Sequence, residues 1–397
     1  MHFAFTEEQQ AFADSVRRFA QGRLEQDALT RAHDPRYPFD VAQLMSAQGL
    51  MGITIAEADG GQGGTLMDAI IAIEQVAAAC PRSADVAQFG NFGPIRTFAE
   101  YATAQQKARW LPDLLAGHMV MSLGITEPSA GSAATDLRTT AKPDGSHYLI
   151  NGSKLFSTFS PDAAIFLIYV RYGPGVGGIG SVIVERGAPG FRIGAPSRFM
   201  SGEEWCELHF DNCRVPAENV LLGPGGFKKQ MAGFNIERLG NSARSLAFGR
   251  YAFEKARAHA ATREQFGRPL CEFQGLQWKF AEMAIKLEGA QLLLYRAATN
   301  ADRGMPSAYE TAVAKATCNQ VGFEVASDAV QVMGATGYSQ ENLSEWCMRR
   351  CRGWMIAGGS IEIMKNRIAE HIFDRRDRGL GRRHDVGVVG RLRQRRQ

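Results

Sequence analysis

The feature that most constrains the fold of this chain is a double change in the spacing of its apolar residues. Up to about residue 118 the spacing is helical, as at Phe12 and Val16. Between about 119 and 228, short apolar runs separated by Gly and Pro indicate β-strands. After about 229 the helical spacing returns and persists. We therefore expect a mainly α fold with a central β domain.

These changes predict four segments. They are an N-terminal α-helical domain (1–118), a small β-barrel or sandwich domain (119–228), a C-terminal four-helix bundle (229–380) and a basic, disordered tail (381–397). The bundle helices are expected at 230–262, 272–302, 307–333 and 343–374. Earlier helices are expected at 41–48, 66–79 and 103–115. Thr6 and Gln9 have the spacing of a capping box, which predicts a first helix that reaches about Leu24.

Composition excludes several classes of protein. The net charge of the whole chain is only +4, so its overall charge does not indicate binding to nucleic acid. Seven cysteines without a Cys-x-x-Cys pair argue against a disulfide framework and against a zinc site. Neither a signal peptide nor a stretch of about 18 apolar residues is apparent. We expect a cytoplasmic protein without a metal or a membrane span.

One glycine-rich segment matches a nucleotide-binding pattern. Gly175, Gly177 and Gly180 have the Gly-x-Gly-x-x-Gly spacing of a dinucleotide fingerprint. A strand rather than a helix is predicted to follow, so no helix N-terminus would be available for a pyrophosphate. We interpret this segment as the tip of a β-hairpin.

A second stretch, 121–158, carries more information. A strand ends at Thr126-Glu127-Pro128, small residues follow, and Asn151-Gly152-Ser153-Lys154 comes later. By spacing alone this is an ordinary turn between strands. Its amino-acid sequence, however, resembles the flavin-binding middle segment of the acyl-CoA dehydrogenase family. Members of that family oxidise acyl-CoA thioesters with FAD. The resemblance extends over about residues 3–376 and implies the same order of domains.

The resemblance implies roles for residues of this stretch. Thr126 would contact the pyrimidine edge of the flavin, and Thr158 would bind near its reactive nitrogen. Phe156 and Ser157 would also belong to the cofactor site, and Ser132 would lie on the CoA side. The sequence departs from the family where Phe156 replaces the usual Trp.

Two later segments complete the resemblance on the cofactor side. Arg263 and Phe266 stand in an Arg-x-x-Phe-Gly segment, and Gln331, Gly334 and Ala335 stand in a Gln-x-x-Gly-Gly-like segment. In the family these segments reach the FAD of a neighbouring subunit, for which an always-charged, forked guanidinium is suited. The resemblance therefore implies a homo-oligomer, usually a tetramer, with shared sites.

The largest departure concerns the catalytic base. The segment 356–363 resembles Ile-Tyr-Glu-Gly-Thr-Ser-Glu-Ile, in which the first Glu is the usual base, but Gly358 stands at that position. Gly358 keeps a backbone N–H for the thioester oxygen and has no carboxylate. Ser360 and Glu362 match positions on the cofactor side of the segment.

Another carboxylate in the sequence is a candidate for the catalytic base that Gly358 cannot supply. Glu237 precedes Arg238 in a segment that resembles the first bundle helix of the isovaleryl-CoA and long-chain members, which carry their base there. Removal of an α-proton needs such a base. We therefore predict Glu237 as the base and Arg238 as a substrate-side residue; the alternative is that Glu237 merely forms an ion pair.

The resemblance implies formation of a trans-2-enoyl-CoA, with electrons passed to an electron-transfer flavoprotein. Two alternatives stay open. One is a flavin oxidase or monooxygenase of the same fold, because such relatives often lack the usual base. The other is a non-catalytic acyl-CoA-binding scaffold.

Overall fold

The computed structural model describes residues 4–301 and 305–374. The predicted basic tail and residues 375–380 of the predicted bundle lie outside the described residues. Within them, helices precede and follow a central mixed β-sheet. The predicted fold class is therefore confirmed.

The first part of the chain is helical. Its helices are α1 (Glu7–Arg23), α2 (Ala28–His33), α3 (Phe39–Ser46), α4 (Leu66–Ala79), α5 (Pro81–Phe92), α6 (Pro94–Tyr101) and α7 (Ala104–Leu115). Thr6, Thr65 and Thr103 each form a capping box, which includes the one predicted at Thr6. The sequence reading missed α2, α5 and α6. Nearly all of α5 is buried, so it lacks the polar face that makes a helical period visible.

A single sheet follows. Its strands are β1 (Met121–Gly124), β2 (Thr140–Asp144), β3 (His147–Thr158), β4 (Ile165–Arg171), β5 (Ile179–Glu185), β6 (Phe191–Ile193), β7 (Ser197–Arg198), β8 (Glu204–Pro216) and β9 (Val220–Leu222). The main order is β6-β8-β3-β2-β4-β5-β9, with β1 parallel to β4 and β7 beside β8. Strands β4 and β5 are almost wholly buried. Burial on both faces explains their continuous apolar runs.

The glycine-rich segment connects β4 to β5. These strands are antiparallel, with Arg171 opposite Ile179, and a short 3₁₀ turn at Val176–Gly178 lies between them. No helix follows the glycines. The interpretation as a hairpin tip is confirmed, so this segment has no geometry for a pyrophosphate.

Two adjacent glycines of this hairpin should respond differently to substitution. A Cβ at Gly177 would meet nothing within 4 Å, whereas a Cβ at Gly178 would collide with the carbonyl oxygen of Gly173. We expect Gly177→Ala to change the free energy of unfolding by at most about 0.5 kcal/mol. Gly178→Ala should cost about 1–3 kcal/mol. Urea denaturation measures both, and equal costs would contradict the described hairpin geometry.

The last part of the chain is again mainly helical. Its elements are α8 (Phe227–Thr262), the hairpin strands β10 (Glu264–Gln265) and β11 (Arg268–Pro269), and then α9 (Gln274–Ala301), α10 (Ala308–Met333), α11 (Ala335–Tyr338), α12 (Leu343–Trp354) and α13 (Ile361–Ile372). Three predicted bundle helices correspond closely to α8, α9 and α10. These three pack against one another, and α12 packs against α8 and α10.

The prediction of one continuous helix over 343–374 is wrong. The chain leaves the helix after Trp354 and re-enters one at Ile361. Between them, Gly358 and Gly359 have φ angles of +71° and +94°. L-residues rarely adopt such angles, so the two glycines permit a tight break in the helical path. This break brings Gly358 against α8.

The N-terminal and C-terminal helices share one core. Helix α8 packs against α4 and α5 of the N-terminal part and against α10 and α12 of the C-terminal part. Buried residues of the sheet, such as Ile168, join the same apolar cluster. Across the described residues, no helix combines the length and apolar character needed to cross a bilayer. The first half of α8 therefore lies where the three parts of the chain meet.

Candidate active site

A buried ion pair shapes the turn after β1. The Lys154 ammonium lies 2.7 Å from a carboxylate oxygen of Glu127, and both side chains are almost completely buried. Glu127 also accepts hydrogen bonds from the backbone N–H groups of Arg138 and Thr139. Burial lowers the pKa of Lys154 to about 8, and the Glu127 carboxylate opposes that shift. The pair ties the turn to β3 and so positions Thr126, a role that the sequence reading did not assign.

An aromatic surface lies beside this turn at the end of β3. It consists of Phe156, Phe199 and Trp205, with ring centroids of Phe156 and Trp205 4.6 Å apart. Phe156 is half-exposed and has a φ of +58°, a conformation that is uncommon outside glycine and clusters at functional sites. An exposed aromatic surface of this kind fits a planar ring system such as a flavin.

The other predicted cofactor and CoA residues of this stretch differ in how exposed they are. Ser157 is fully buried, and its hydroxyl has no hydrogen-bond partner among the described residues. Thr158 is partly exposed, and its carbonyl accepts a hydrogen bond from Ser122. Ser132 lies exposed in the loop after Pro128. Of the predicted residues in this stretch, the structure leaves Thr126, Phe156, Thr158 and Ser132 accessible from outside.

Glu237 occupies a partly buried position on α8. Burial raises the pKa of its carboxyl to about 7, although Arg244, Arg238 and Lys315 oppose this shift. The Asn241 amide also lies close enough to lower that pKa, yet it makes no hydrogen bond of ordinary geometry. A carboxyl group that titrates near neutral pH is suited to general base catalysis.

Gly358 lies close to the same part of α8. Arg238 donates from Nε to the Gly358 carbonyl oxygen over 2.9 Å. The position that a Cβ of Gly358 would occupy is 3.2 Å from the Asn241 amide nitrogen and 3.4 Å from the Lys315 side chain. The absent side chain would therefore point toward the surroundings of Glu237. The structure thus brings together Glu237, Arg238 and Gly358, which the sequence reading had grouped.

A buried ionic cluster lies on the same side of α8, one to two turns beyond Glu237. Its centre is Asp85, which is 2.6 Å from Arg244, 2.9 Å from Arg82 and 2.9 Å from Arg350. Arg350 also pairs with Glu203 from the sheet domain. Burial favours a higher pKa for Asp85, but the three guanidinium groups outweigh it and hold the pKa at about 2. The sequence reading missed this cluster. Its members stand in segments far apart in the chain, so no local motif indicated it.

The other predicted cofactor residues lie apart from these groups. Arg263, Gln331, Gly334, Ala335 and Glu362 are exposed, and Phe266 is 95 % exposed. Ser360 caps α13 by accepting from the Ile363 N–H. Among the described residues, no hydrogen bond, ion pair or ring contact joins any of them to Thr126 or Phe156. One chain therefore does not unite the two predicted halves of the cofactor site.

The fold, the motif geometry and three family profiles define the class of protein. The chain matches "Acyl-CoA dehydrogenase, N-terminal domain" over residues 6–118, the middle domain over 122–213 and the C-terminal domain over 224–373. It belongs to the acyl-CoA dehydrogenase family, so it is an oxidoreductase of that class and its cofactor is FAD.

Individual relatives agree with this assignment. The chain is 33 % identical to a short-chain-specific acyl-CoA dehydrogenase of Clostridium acetobutylicum, over 94 % of this chain and 100 % of the relative. It is also 33 % identical to a 3-sulfinopropanoyl-CoA desulfinase of Advenella mimigardefordensis, over 94 % and 95 %. The solved butyryl-CoA dehydrogenase of Megasphaera elsdenii superposes with a TM-score of 0.87 at 30 % identity, over 94 % and 100 %.

Proposed function

We propose that this protein removes hydrogen from the α and β carbons of an acyl-CoA thioester to form a trans-2-enoyl-CoA, with Glu237 as the base. The observation that carries the proposal is the partly buried Glu237 carboxyl, with a pKa of about 7, beside Gly358. A glycine at 358 removes the carboxylate that the family usually supplies there. Glu237 is the carboxylate that supports the same chemistry from α8.

Each residue around the thioester has a separate role in the proposed reaction. The Gly358 N–H donates to the thioester oxygen and favours the charge that develops there. Arg238, through its bond to the Gly358 carbonyl, fixes that backbone segment. Glu237 accepts the α-proton, and its position among Arg238, Arg244 and Lys315 stabilises the carboxylate before transfer. When bound, FAD supplies the acceptor for the hydride from the β-carbon.

The cofactor would be held by two sets of residues. Thr126, Phe156 and Thr158 would contribute from the end of β3 and the turn after β1, whereas Ser157, which was predicted with them, is fully buried and would not contact the cofactor. Arg263, Phe266, Gln331, Gly334 and Ala335 would come from a second copy of the chain, with Ser360 and Glu362 on the cofactor side of the segment before α13. Ser132 would contact CoA.

The surface of α9 supports association with a second copy. Trp278 is 63 % exposed, Ile285 is 73 % exposed and Leu292 is 44 % exposed. Their spacing of seven residues places them on one face of the helix. Large exposed apolar faces commonly mark protein–protein contacts. This face favours a homo-oligomer, for which the family implies a tetramer. The family also implies an electron-transfer flavoprotein as the electron acceptor.

Anaerobic spectroscopy tests the function. Acyl-CoA thioesters should bleach the flavin absorbance of the purified protein, and mass spectrometry should find a product that has lost two hydrogen atoms. Reoxidation should be fast with an electron-transfer flavoprotein and slow in air. Fast reoxidation by air would favour the oxidase or monooxygenase, and purification without FAD would favour the scaffold.

The pH dependence should reflect Glu237. A base is active when deprotonated, so kcat/KM should increase with pH about tenfold per unit below pH 7 and level off above it, because the pKa of Glu237 is about 7. Stopped-flow bleaching between pH 5.5 and about pH 9 measures this profile, and circular dichroism checks that the fold persists. A midpoint near the ordinary glutamate value of about 4.3 would contradict the buried base.

A further inference from the structure

The side chain of Lys315, on α10, is fully buried. A buried ammonium group is costly unless it is paired with an anion or well hydrogen-bonded. Burial and the nearby Arg238 lower the pKa of Lys315 to about 7, and the Glu237 carboxylate opposes this shift through its charge, without a hydrogen bond. The stability of the fold alone therefore does not account for a lysine at this position.

The Lys315 ammonium holds the end of α12. It donates to the backbone carbonyl oxygen of Trp354 over 3.0 Å, and Asn319, four residues further along α10, donates to the same oxygen over 2.6 Å. Trp354 is the last residue of α12. Its ring lies 3.7 Å from the Arg244 guanidinium of α8. The point where the chain leaves α12 is therefore fixed by side chains from two other helices.

Gly358 follows four residues after this anchor. The backbone N–H of Ile361 donates to the carbonyl oxygen of Met355 over 3.1 Å and closes the segment between α12 and α13. Among the described residues, the N–H of Gly358 donates to no carbonyl oxygen, so it is available for a ligand. The Cε atom of Lys315 is 3.4 Å from the position that a Gly358 Cβ would occupy. Lys315 thus anchors the start of the segment and also lies against the glycine within it.

We propose that Lys315 is a positioning residue of the reaction, which fixes the Gly358 N–H against the thioester oxygen and places a positive charge beside the Glu237 carboxylate. This inference rests on the proposed function, because it takes Gly358 as the donor to the thioester and Glu237 as the base. A donor that is fixed before the substrate binds needs no reorganisation when charge develops on the oxygen. A cation beside the base favours its deprotonated form.

Lys315→Met separates this role from a structural one. Methionine has a similar length and no charge, and Asn319 keeps its hydrogen bond to the Trp354 carbonyl. The urea midpoint of unfolding should therefore stay the same or rise, since a buried charge has been removed. The rate of flavin bleaching by acyl-CoA should nevertheless fall by about 10–100-fold, because small displacements of a positioned group have effects of that size.

The pH profile reports the charge of Lys315. Lys315 lowers the pKa of Glu237, so its removal should move the midpoint of kcat/KM above pH 7. We expect a rise of about 0.5–1 unit, less than the shift of about 1–3 units that a charge in direct contact causes. The other charged or titratable groups that face this pair are Arg238 and Arg244 of α8, Tyr169 of β4 and, through Arg238, Arg367 of α13.

Two CoA derivatives report the position of the Gly358 N–H without any chemistry. Acetyl-CoA has no β-carbon and cannot be dehydrogenated, and S-ethyl-CoA replaces its thioester carbonyl with a methylene group. Isothermal titration calorimetry with the FAD-loaded protein measures both dissociation constants. The wild type should bind acetyl-CoA about 3–10-fold more tightly, the effect of one hydrogen bond. Lys315→Met should reduce this ratio by at least about half.

Two further variants assign the effects. Asn319→Leu removes the second donor to the Trp354 carbonyl and keeps the Lys315 charge. It should reduce the affinity ratio and leave the pH midpoint within about 0.2 unit, because only a change of charge moves the pKa of the base in this way. Lys255→Met removes a lysine from an exposed position of α8 and should change neither quantity.

Failure of this inference differs from failure of the proposed function. An unchanged affinity ratio or an unchanged pH midpoint in Lys315→Met would each overturn the role of Lys315, while bleaching by the wild type would leave the dehydrogenase standing. If no thioester bleaches the wild-type flavin but Lys315→Met loses the preference for acetyl-CoA, the positioning role stands and the reaction is wrong. If Lys315→Met does not fold, the affinity ratio of Asn319→Leu decides, and a wild-type ratio there would overturn the inference.

Discussion

Replacement of Glu237 with glutamine should lower the rate of flavin bleaching by acyl-CoA by about 10²–10⁴-fold, the usual effect of losing a positioned general base. Glutamine keeps the size of the side chain and cannot accept the α-proton. Binding of FAD and of acyl-CoA should persist, because neither depends on proton transfer. Anaerobic stopped-flow spectroscopy measures the rate, and the perturbed flavin spectrum on mixing reports binding.

Glu254→Gln is a matched control for this experiment. Glu254 lies on the same helix, is exposed and pairs with Arg257. Its replacement should leave the bleaching rate within about twofold of the wild type, since a change at an exposed site rarely exceeds about 0.5 kcal/mol. Bleaching by Glu237→Gln at the wild-type rate would show that Glu237 is not the base and would bring the oxidase or scaffold alternatives forward.

Replacement of Asp85 with asparagine should have the largest effect on stability. The change would leave Arg82, Arg244 and Arg350 without their shared carboxylate in the core. Removal of one partner from a buried ion pair costs about 3–5 kcal/mol. Urea denaturation followed by circular dichroism should show a loss of that size, and FAD content should fall because the cluster joins helices α5, α8 and α12.

Asp113→Asn is the control, because Asp113 is exposed and has only a long contact with His118. It should change stability by less than about 0.5 kcal/mol. The pH dependence gives a second check. The pKa of Asp85 is lowered to about 2, so its contribution to stability is present above the unfolded value of about 3.9 and is lost as the pH falls toward 2. A loss below about 1 kcal/mol in Asp85→Asn would mean that the cluster is not held by this carboxylate.

Local sequence signals predicted much of the fold. The capping box at Thr6 and the helix Leu66–Ala79 depend on residues close together in the chain, and the structure confirms both. The same is true of the hairpin at Gly175–Gly180, where a strand follows the glycines. Helix α5 escaped prediction because its burial on all sides removes the polar face. The break at Gly358 escaped prediction because helical spacing continues on both sides of it.

The candidate site was predictable only in part. The residue types at Glu237 and Gly358 stand in recognisable segments, so resemblance alone pointed to them as a pair. Their surroundings were not predictable, since Asp85, Arg244 and Arg350 belong to three helices far apart in the chain. Each of these residues, taken alone, reads as an ordinary surface charge.

The sequence by itself therefore determined the alternation of helical and strand-rich parts and the family, and it pointed to Glu237 as the candidate base. These properties follow from local periodicity and from motifs within short segments. Only the tertiary structure decided that two arginines and a lysine lie around Glu237, that Arg244 Nε lacks a hydrogen-bond partner among the described residues, and that Phe156 lies at an exposed aromatic surface. Packing of distant segments sets burial, and burial sets the pKa values and the need for partners.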